Sequence, residues 1–130
     1  MELFEKSEKN LLAADLLVAS EYYSSSIHCY YYSTFQLMLH IVFNIFNIDS
    51  IEFNNKIKGK DSHNYLINFL RNDLIQSGQD FRVISNDLRV LKNLRREADY
   101  TQKIINKNNA SSARHYSVKL NSAIKKIHNL

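Results

Sequence analysis

The feature that most restricts what this chain can fold into is the spacing of its apolar residues. Near the end, Ala113, Tyr116, Leu120, Ala123, Ile127 and Leu130 stand 3, 4, 3, 4 and 3 positions apart. Phe81, Ile84, Leu88, Leu91 and Ala98 keep the same rhythm earlier in the chain. An α-helix turns once every ~3.6 residues, so each series falls on one stripe along one helix face. A strand needs alternation with a period of two and has no use for this pattern. Each stripe must bury against other helices, and short connections between them favour antiparallel neighbours.

Five helices are predicted. The first runs from about Glu2 to Ser20, with Leu12, Leu16 and Ala19 on one side and Leu11, Ala14 and Val18 beside them. Ser24 is the expected N-cap of a second helix reaching about Asn47. Ser62 is expected to cap a third, which ends near Gly78 as its C′ glycine. The fourth spans about Asp80 to Tyr100, and Asn109 caps a fifth that reaches nearly to Leu130. Residues 49–61 and 101–108 are read as loops. Pro is absent and Gly occurs only twice, as suits helices, although AT-rich codon usage would deplete both as well. The expected fold class is all-α: an up-and-down bundle of four to five helices, with residues 1–130 as a single domain.

The second helix is apolar nearly all round from Phe35 to Ile48. Its polar positions Ser33, Gln36, His40, Asn44 and Asn47 form one narrow strip, either facing solvent or lining a cleft. Such a helix is central to the bundle or buries a second face against another copy, so a homodimer is expected. The Phe35–Ile48 stretch is too short and too polar to span a bilayer, and no membrane partner is expected. The acidic, polar start MELFEKSE does not read as a signal peptide. The lone Cys29 forms neither an internal disulfide nor a cysteine metal site by itself, and the expected setting is cytoplasmic. The net charge of +4 is uneven, −3 over residues 1–65 and +7 over 66–130. A basic second half suits nucleic acid or an acidic partner, or is simply a solvated surface.

One residue breaks the stripe of the fourth helix. The pattern calls for an apolar side chain between Leu91 and Ala98, and the position holds Arg95. A charge on a core stripe is costly unless paired. Asp99 lies four residues on and can pair with it along one face, Tyr100 lies five on, and Arg96 can brace the group from the flank. Two readings stand. Either the cluster is a buried ion pair tying helices together, or it is a guanidinium and a phenol preorganised for phosphate. Gly59 and Gly78 make no phosphate loop, and His28, His40, His63, His115 and His128 are not at metal-ligand spacing, so no metal or cofactor is expected. His28 and Cys29 are adjacent and do not face each other on a helix. Tyr31 and Phe35 share the core stripe of the second helix, and Lys56, Lys58 and Lys60 sit in a loop that could touch phosphate or be merely solvated.

Several segments in order resemble the HEPN family. They are NLLAADLL followed by Tyr31-Tyr32-Ser33-Thr34-Phe35, then Asp61-Ser62-His63-Asn64 with Leu66 and Phe69, and then Arg95-Arg96-Glu97-Ala98-Asp99-Tyr100, similar to the R-x-x-A-D-Y ending of one branch. The resemblance covers nearly the whole chain. It implies a helical bundle, commonly a homodimer, often partnered by a minimal nucleotidyltransferase in toxin–antitoxin or defence systems. It also implies either nucleotide or RNA binding or metal-independent RNA cleavage. Cleaving members place a histidine four to six residues after an arginine. Here Tyr100 stands near that position, and Ser33 and Gln36 replace the usual alanine and histidine of the second-helix motif. The expected site is therefore a binding one at Arg95, Arg96, Asp99 and Tyr100. A divergent endoribonuclease would need its base from His63 or His115, and a purely structural dimer is the third reading.

Overall fold

The computed structural model describes residues 2–59 and 61–130. They form helices α1 (Glu2–Ala19), α2 (Tyr23–His40), α3 (Ser50–Ile57), α4 (Ser62–Phe69), α5 (Arg71–Gln76), α6 (Phe81–Tyr100) and α7 (Lys107–His128). A π-helical turn, Ile41–Ile45, extends α2. No strand occurs among the described residues. The protein is an all-α bundle of four long helices, with α3, α4 and α5 inserted between the second and third of them.

Side-chain bonds give the helix directions. Along α1 and α2, Phe4 meets His40 and Asp15 meets Tyr30, so the two run antiparallel. Asp99 of α6 reaches His28 while Arg95 reaches Tyr31, again antiparallel to α2. Asp15 holds Arg114 and Glu8 holds Lys125, so α7 runs antiparallel to α1. The four long helices thus alternate in direction, and α2 sits against the other three.

That position accounts for the composition of α2. Ile27, Tyr30, Tyr31, Leu37 and Met38 are at most 1% exposed, covered from within the chain. The apolar circumference from Phe35 to Ile48 is met on most sides within the chain, by α1, α6 and α7 and, through Phe43 on Phe53 and Phe46 on Phe69, by α3 and α4, while Ile45 stays 38% exposed. The polar strip neither faces solvent as a whole nor lines a cleft. Ser33 and His40 are buried, and Gln36 accepts a hydrogen bond from Asn10 of α1. Ser7 Oγ donates to the Ser33 carbonyl at 2.6 Å and Ser33 Oγ donates to the Ser7 carbonyl at 2.8 Å. On the other flank, Thr34 Oγ1 donates to Asn121 Oδ1, Asn121 Nδ2 to Ser33 Oγ and Ser117 Oγ to the Tyr30 carbonyl. This seam of small polar side chains joins α1, α2 and α7, each group satisfying another as burial requires.

The caps differ from those expected. Asp49, Asp61 and Asp80 start α3, α4 and α6, each accepting backbone N–H bonds. Ser62 and Ser24 lie inside their helices, and Tyr22 precedes α2 without a side-chain cap. Asn106 caps α7, while Asn109 closes the reciprocal bond of a capping box. Residues 49–61, expected as a loop, contain α3. The helix expected from Ser62 to Gly78 is broken at Leu70 into α4 and α5. Gly78 does end it, at φ 83, with Gln79 N–H donating to the Leu74 carbonyl and its own N–H to that of Ile75. The α1–α2 turn uses the same paired bonds around Glu21, a non-glycine residue at φ 64. On α1, Leu11, Ala14 and Val18 face the core, whereas Leu12 and Leu16 are exposed.

Candidate functional site

Arg95 is 8% exposed, as its place on the stripe requires. Its guanidinium carbon lies 4.7 Å from the Tyr31 ring centroid and 5.5 Å from that of Tyr100. Nη1 donates to the Tyr100 hydroxyl at 3.5 Å, and Nε has no hydrogen-bond partner among the described residues. The expected ion pair with Asp99 is not formed. Asp99 turns to α2, where its Oδ2 lies 2.8 Å from His28 Nδ1. Arg95 is therefore a buried cation held by aromatic faces rather than by a carboxylate.

His63 stands in the first turn of α4 because Asp61 caps that helix, accepting from the His63 and Asn64 amides. Both nitrogens of its imidazole meet the Tyr31 hydroxyl, Nδ1 the more closely and Nε2 at 2.6 Å, and the ring packs edgewise on that of Tyr31. Burial, and then the charges of Lys92 and Arg95, push its pKa down to about 4. A neutral imidazole thus sits in the field of two cations, with Tyr31 between it and the guanidinium.

A cleft of about 520 Å³ opens between α4 and α6, lined among others by His63, Asn64, Arg89, Lys92, Asn93 and Arg96. Asp61 is the one acid on its wall. Lys92 Nζ lies 2.5 Å from Asp61 Oδ2. Burial pushes the Asp61 carboxyl up, but the bonds from Lys92 and from the Asn64 and His63 amides outweigh it and leave the pKa lowered. Arg96 points into this cleft and does not brace Asp99. Tyr100, at 74% exposure, presents its ring to solvent beside Arg95.

No protein-family model, curated protein or solved structure matches the chain.

The remaining candidates lie elsewhere. His115, on α7, is exposed against the Tyr116 ring and does not line the cleft. Lys56 pairs with Glu52, Lys58 is exposed, and Lys60 lies outside the described residues. Cys29 and His28 border one shallow pocket with Asp99, with no hydrogen bond between the two. Burial first, and the Asp99 carboxylate second, push the Cys29 thiol up, away from the reactive thiolate. Among the described residues no group of three His, Cys, Asp or Glu could hold a metal ion. No described helix is long and apolar enough to cross a membrane. Sequence spacing missed Tyr31 as part of the site. It is a core residue whose ring seats Arg95 and whose hydroxyl meets His63, and only the packing of α2 between α4 and α6 joins those roles.

Proposed function

We propose that this chain is a HEPN-like binding module that takes a phosphate group of a nucleotide or RNA at Arg95, beside the cleft that His63 lines. The observation that carries the reading is the buried Arg95 guanidinium, which among the described residues has no carboxylate within ion-pair distance and an unpartnered Nε. A desolvated cation without a counter-ion favours an incoming anion, and a guanidinium matches phosphate geometry. Arg96 on the adjoining cleft adds charge of the same sign, while Lys92 there is paired with Asp61. The test follows the His63 imidazole by NMR across pH, with and without AMP or a short RNA. A bound phosphate favours the imidazolium, so the His63 pKa should rise on binding, and this rise should vanish in Arg95→Ala. An unchanged His63 titration at saturating ligand would remove the reading.

The resemblance implies a homodimer and a minimal nucleotidyltransferase partner of toxin–antitoxin or defence type, and the lone Cys29 suits a cytoplasmic setting. Light scattering on the purified chain reads the first directly. Tyr100 suits an acceptor for such a partner, because its exposed hydroxyl lies beside the Arg95 guanidinium. Transfer would join the Tyr100 oxygen to the α-phosphorus of ATP, with pyrophosphate leaving and the phenolic proton lost. A mass gain of one nucleotide on Tyr100 is its signature.

Metal-independent RNA cleavage is the second reading, favoured by the neutral His63 beside Arg95. A pKa of about 4 makes that imidazole a weak base near pH 7 and leaves almost none of it protonated to act as an acid. Binding without cleavage is therefore the better-supported reading. Cleavage of total RNA without metal, lost in both Arg95→Ala and His63→Ala, would reverse that order.

A further inference from the structure

Arg82, Arg89 and Arg96 are exposed and stand seven residues apart on α6. Seven residues make nearly two turns, so the three form one row about 21 Å from end to end. Exposed Asn86 and Asn93 occupy the turns between them and border the cleft. Arg89 Nη2 donates to Asn86 Oδ1 at 2.6 Å.

Among the described residues, none of these three arginines has a carboxylate within ion-pair distance, whereas Lys6, Lys56, Lys103, Arg114, Lys119 and Lys125 each hold one. The acids within α6 are engaged elsewhere. Asp87 is held by Lys119 at 2.8 Å, Glu97 by Lys103 at 3.0 Å and Asp99 by His28 at 2.8 Å. The row therefore shows solvent a single file of three arginines without ion-pair partners, interleaved with neutral amides, with Asp80 engaged as the cap at the Arg82 amide and Asp61 held by Lys92.

We propose that this row is a track for the sugar–phosphate backbone of one nucleic-acid strand, running along the cleft that His63 lines toward the proposed phosphate site at Arg95. It rests on the reading of Arg95 as a phosphate site. At a rise of about 3.4 Å per nucleotide in one strand, a row of about 21 Å spans about six nucleotides. One file of cations follows one backbone, and the intervening amides supply donors and acceptors for sugar hydroxyls and base edges. The expected ligand is thus an oligonucleotide, and a mononucleotide fills only the end of the site.

The test is fluorescence anisotropy with a labelled octanucleotide RNA, competed by AMP, shorter oligonucleotides, a duplex of equal length and a decaglutamate peptide. The full chain is compared with its Arg82→Gln variant, whose exposed substitution lies outside the cleft. Affinity should climb with length to about six nucleotides and then level off. Three phosphate contacts along the row and one at Arg95 give a slope of log affinity on log salt of about −2.8, falling to about −2.1 in the variant. The variant should bind the octanucleotide about threefold more weakly and AMP equally well. An octanucleotide that binds no tighter than AMP, or a variant with unchanged affinity and slope, would overturn the track and leave the Arg95 reading intact. Loss of AMP binding alone, with the length and arginine dependence kept, would overturn the Arg95 site and leave the track. Equal or tighter binding of the duplex or of decaglutamate would overturn the assignment to a single strand, and absence of all binding would overturn both.

Discussion

Replacing Arg95 with methionine tells a guanidinium kept for a ligand from one kept for stability. Arg95 is 8% exposed, its Nε lacks an acceptor, and Nη1 makes a long bond of 3.5 Å to Tyr100. A buried donor left unsatisfied costs about 1–3 kcal/mol. Against this stand the contacts at 4.7 and 5.5 Å to the Tyr31 and Tyr100 rings. Each contributes about 0.5–2 kcal/mol, so gain and loss nearly cancel. Methionine keeps an unbranched stem that can pack on the Tyr31 ring. The free energy of unfolding is therefore expected to change by less than about 1 kcal/mol. An arginine torn from a buried ion pair would instead cost about 3–5 kcal/mol. Urea unfolding followed by far-UV circular dichroism decides between them, provided the slope with denaturant is unchanged. A loss above about 3 kcal/mol would refute the reasoning and make Arg95 a structural tie that sets the register of α6.

Two further outcomes are expected. His63 has a folded pKa of about 4, below its ordinary 6.5, so the unfolded chain binds the proton more readily. The stability it contributes is complete above about pH 6.5 and is lost as pH falls toward 4, amounting to about 1–2 kcal/mol after solvent screening at this half-buried site. Denaturation midpoints of wild type and His63→Phe measured across that window should diverge, and parallel curves would contradict the assignment. Glu21 turns the α1–α2 corner at φ 64, a conformation a side chain adopts at a cost of about 1–2 kcal/mol. Glu21→Gly should stabilise the fold by about 0.5–1 kcal/mol once the added freedom of the unfolded chain is subtracted. Thermal unfolding reads this, and a lower midpoint would contradict it.

The long helices were legible because their apolar spacing is a local property. Of the two stripes, Ile84, Leu88 and Leu91 on α6 and Ala113 and Leu120 on α7 are buried, Tyr116, Ala123 and Ile127 are partly buried, and Leu130 is exposed. Arg95 was visible for the same reason, as the one charge on a regular stripe. Tyr31 reads from the sequence only as core and His63 only as a candidate base, because both lie on other helices and spacing along α6 does not reach them. Asp99 was assigned to Arg95 by spacing along one helix, but His28, 71 residues away, holds it. Short helices escaped because they bury little: Phe53 is the buried residue of α3. A signal did exist there, since Asp49 followed three positions later by Glu52 is a helix-start pattern. At Asp61-Ser62 two capping residues stand side by side, and the aspartate caps, a choice the local pattern alone does not decide.

The seam of Ser7, Ser33, Thr34, Ser117 and Asn121 also bears on the order in which the chain is made. Thr34 and Asn121 are separated by 87 positions, so α1 and α2 emerge long before α7 is synthesised. During that interval the exposed flank of the nascent hairpin shows hydroxyl groups where an ordinary bundle core would show leucines. Water satisfies those groups until α7 replaces it, and an unfinished chain has less adhesive surface to offer its neighbours.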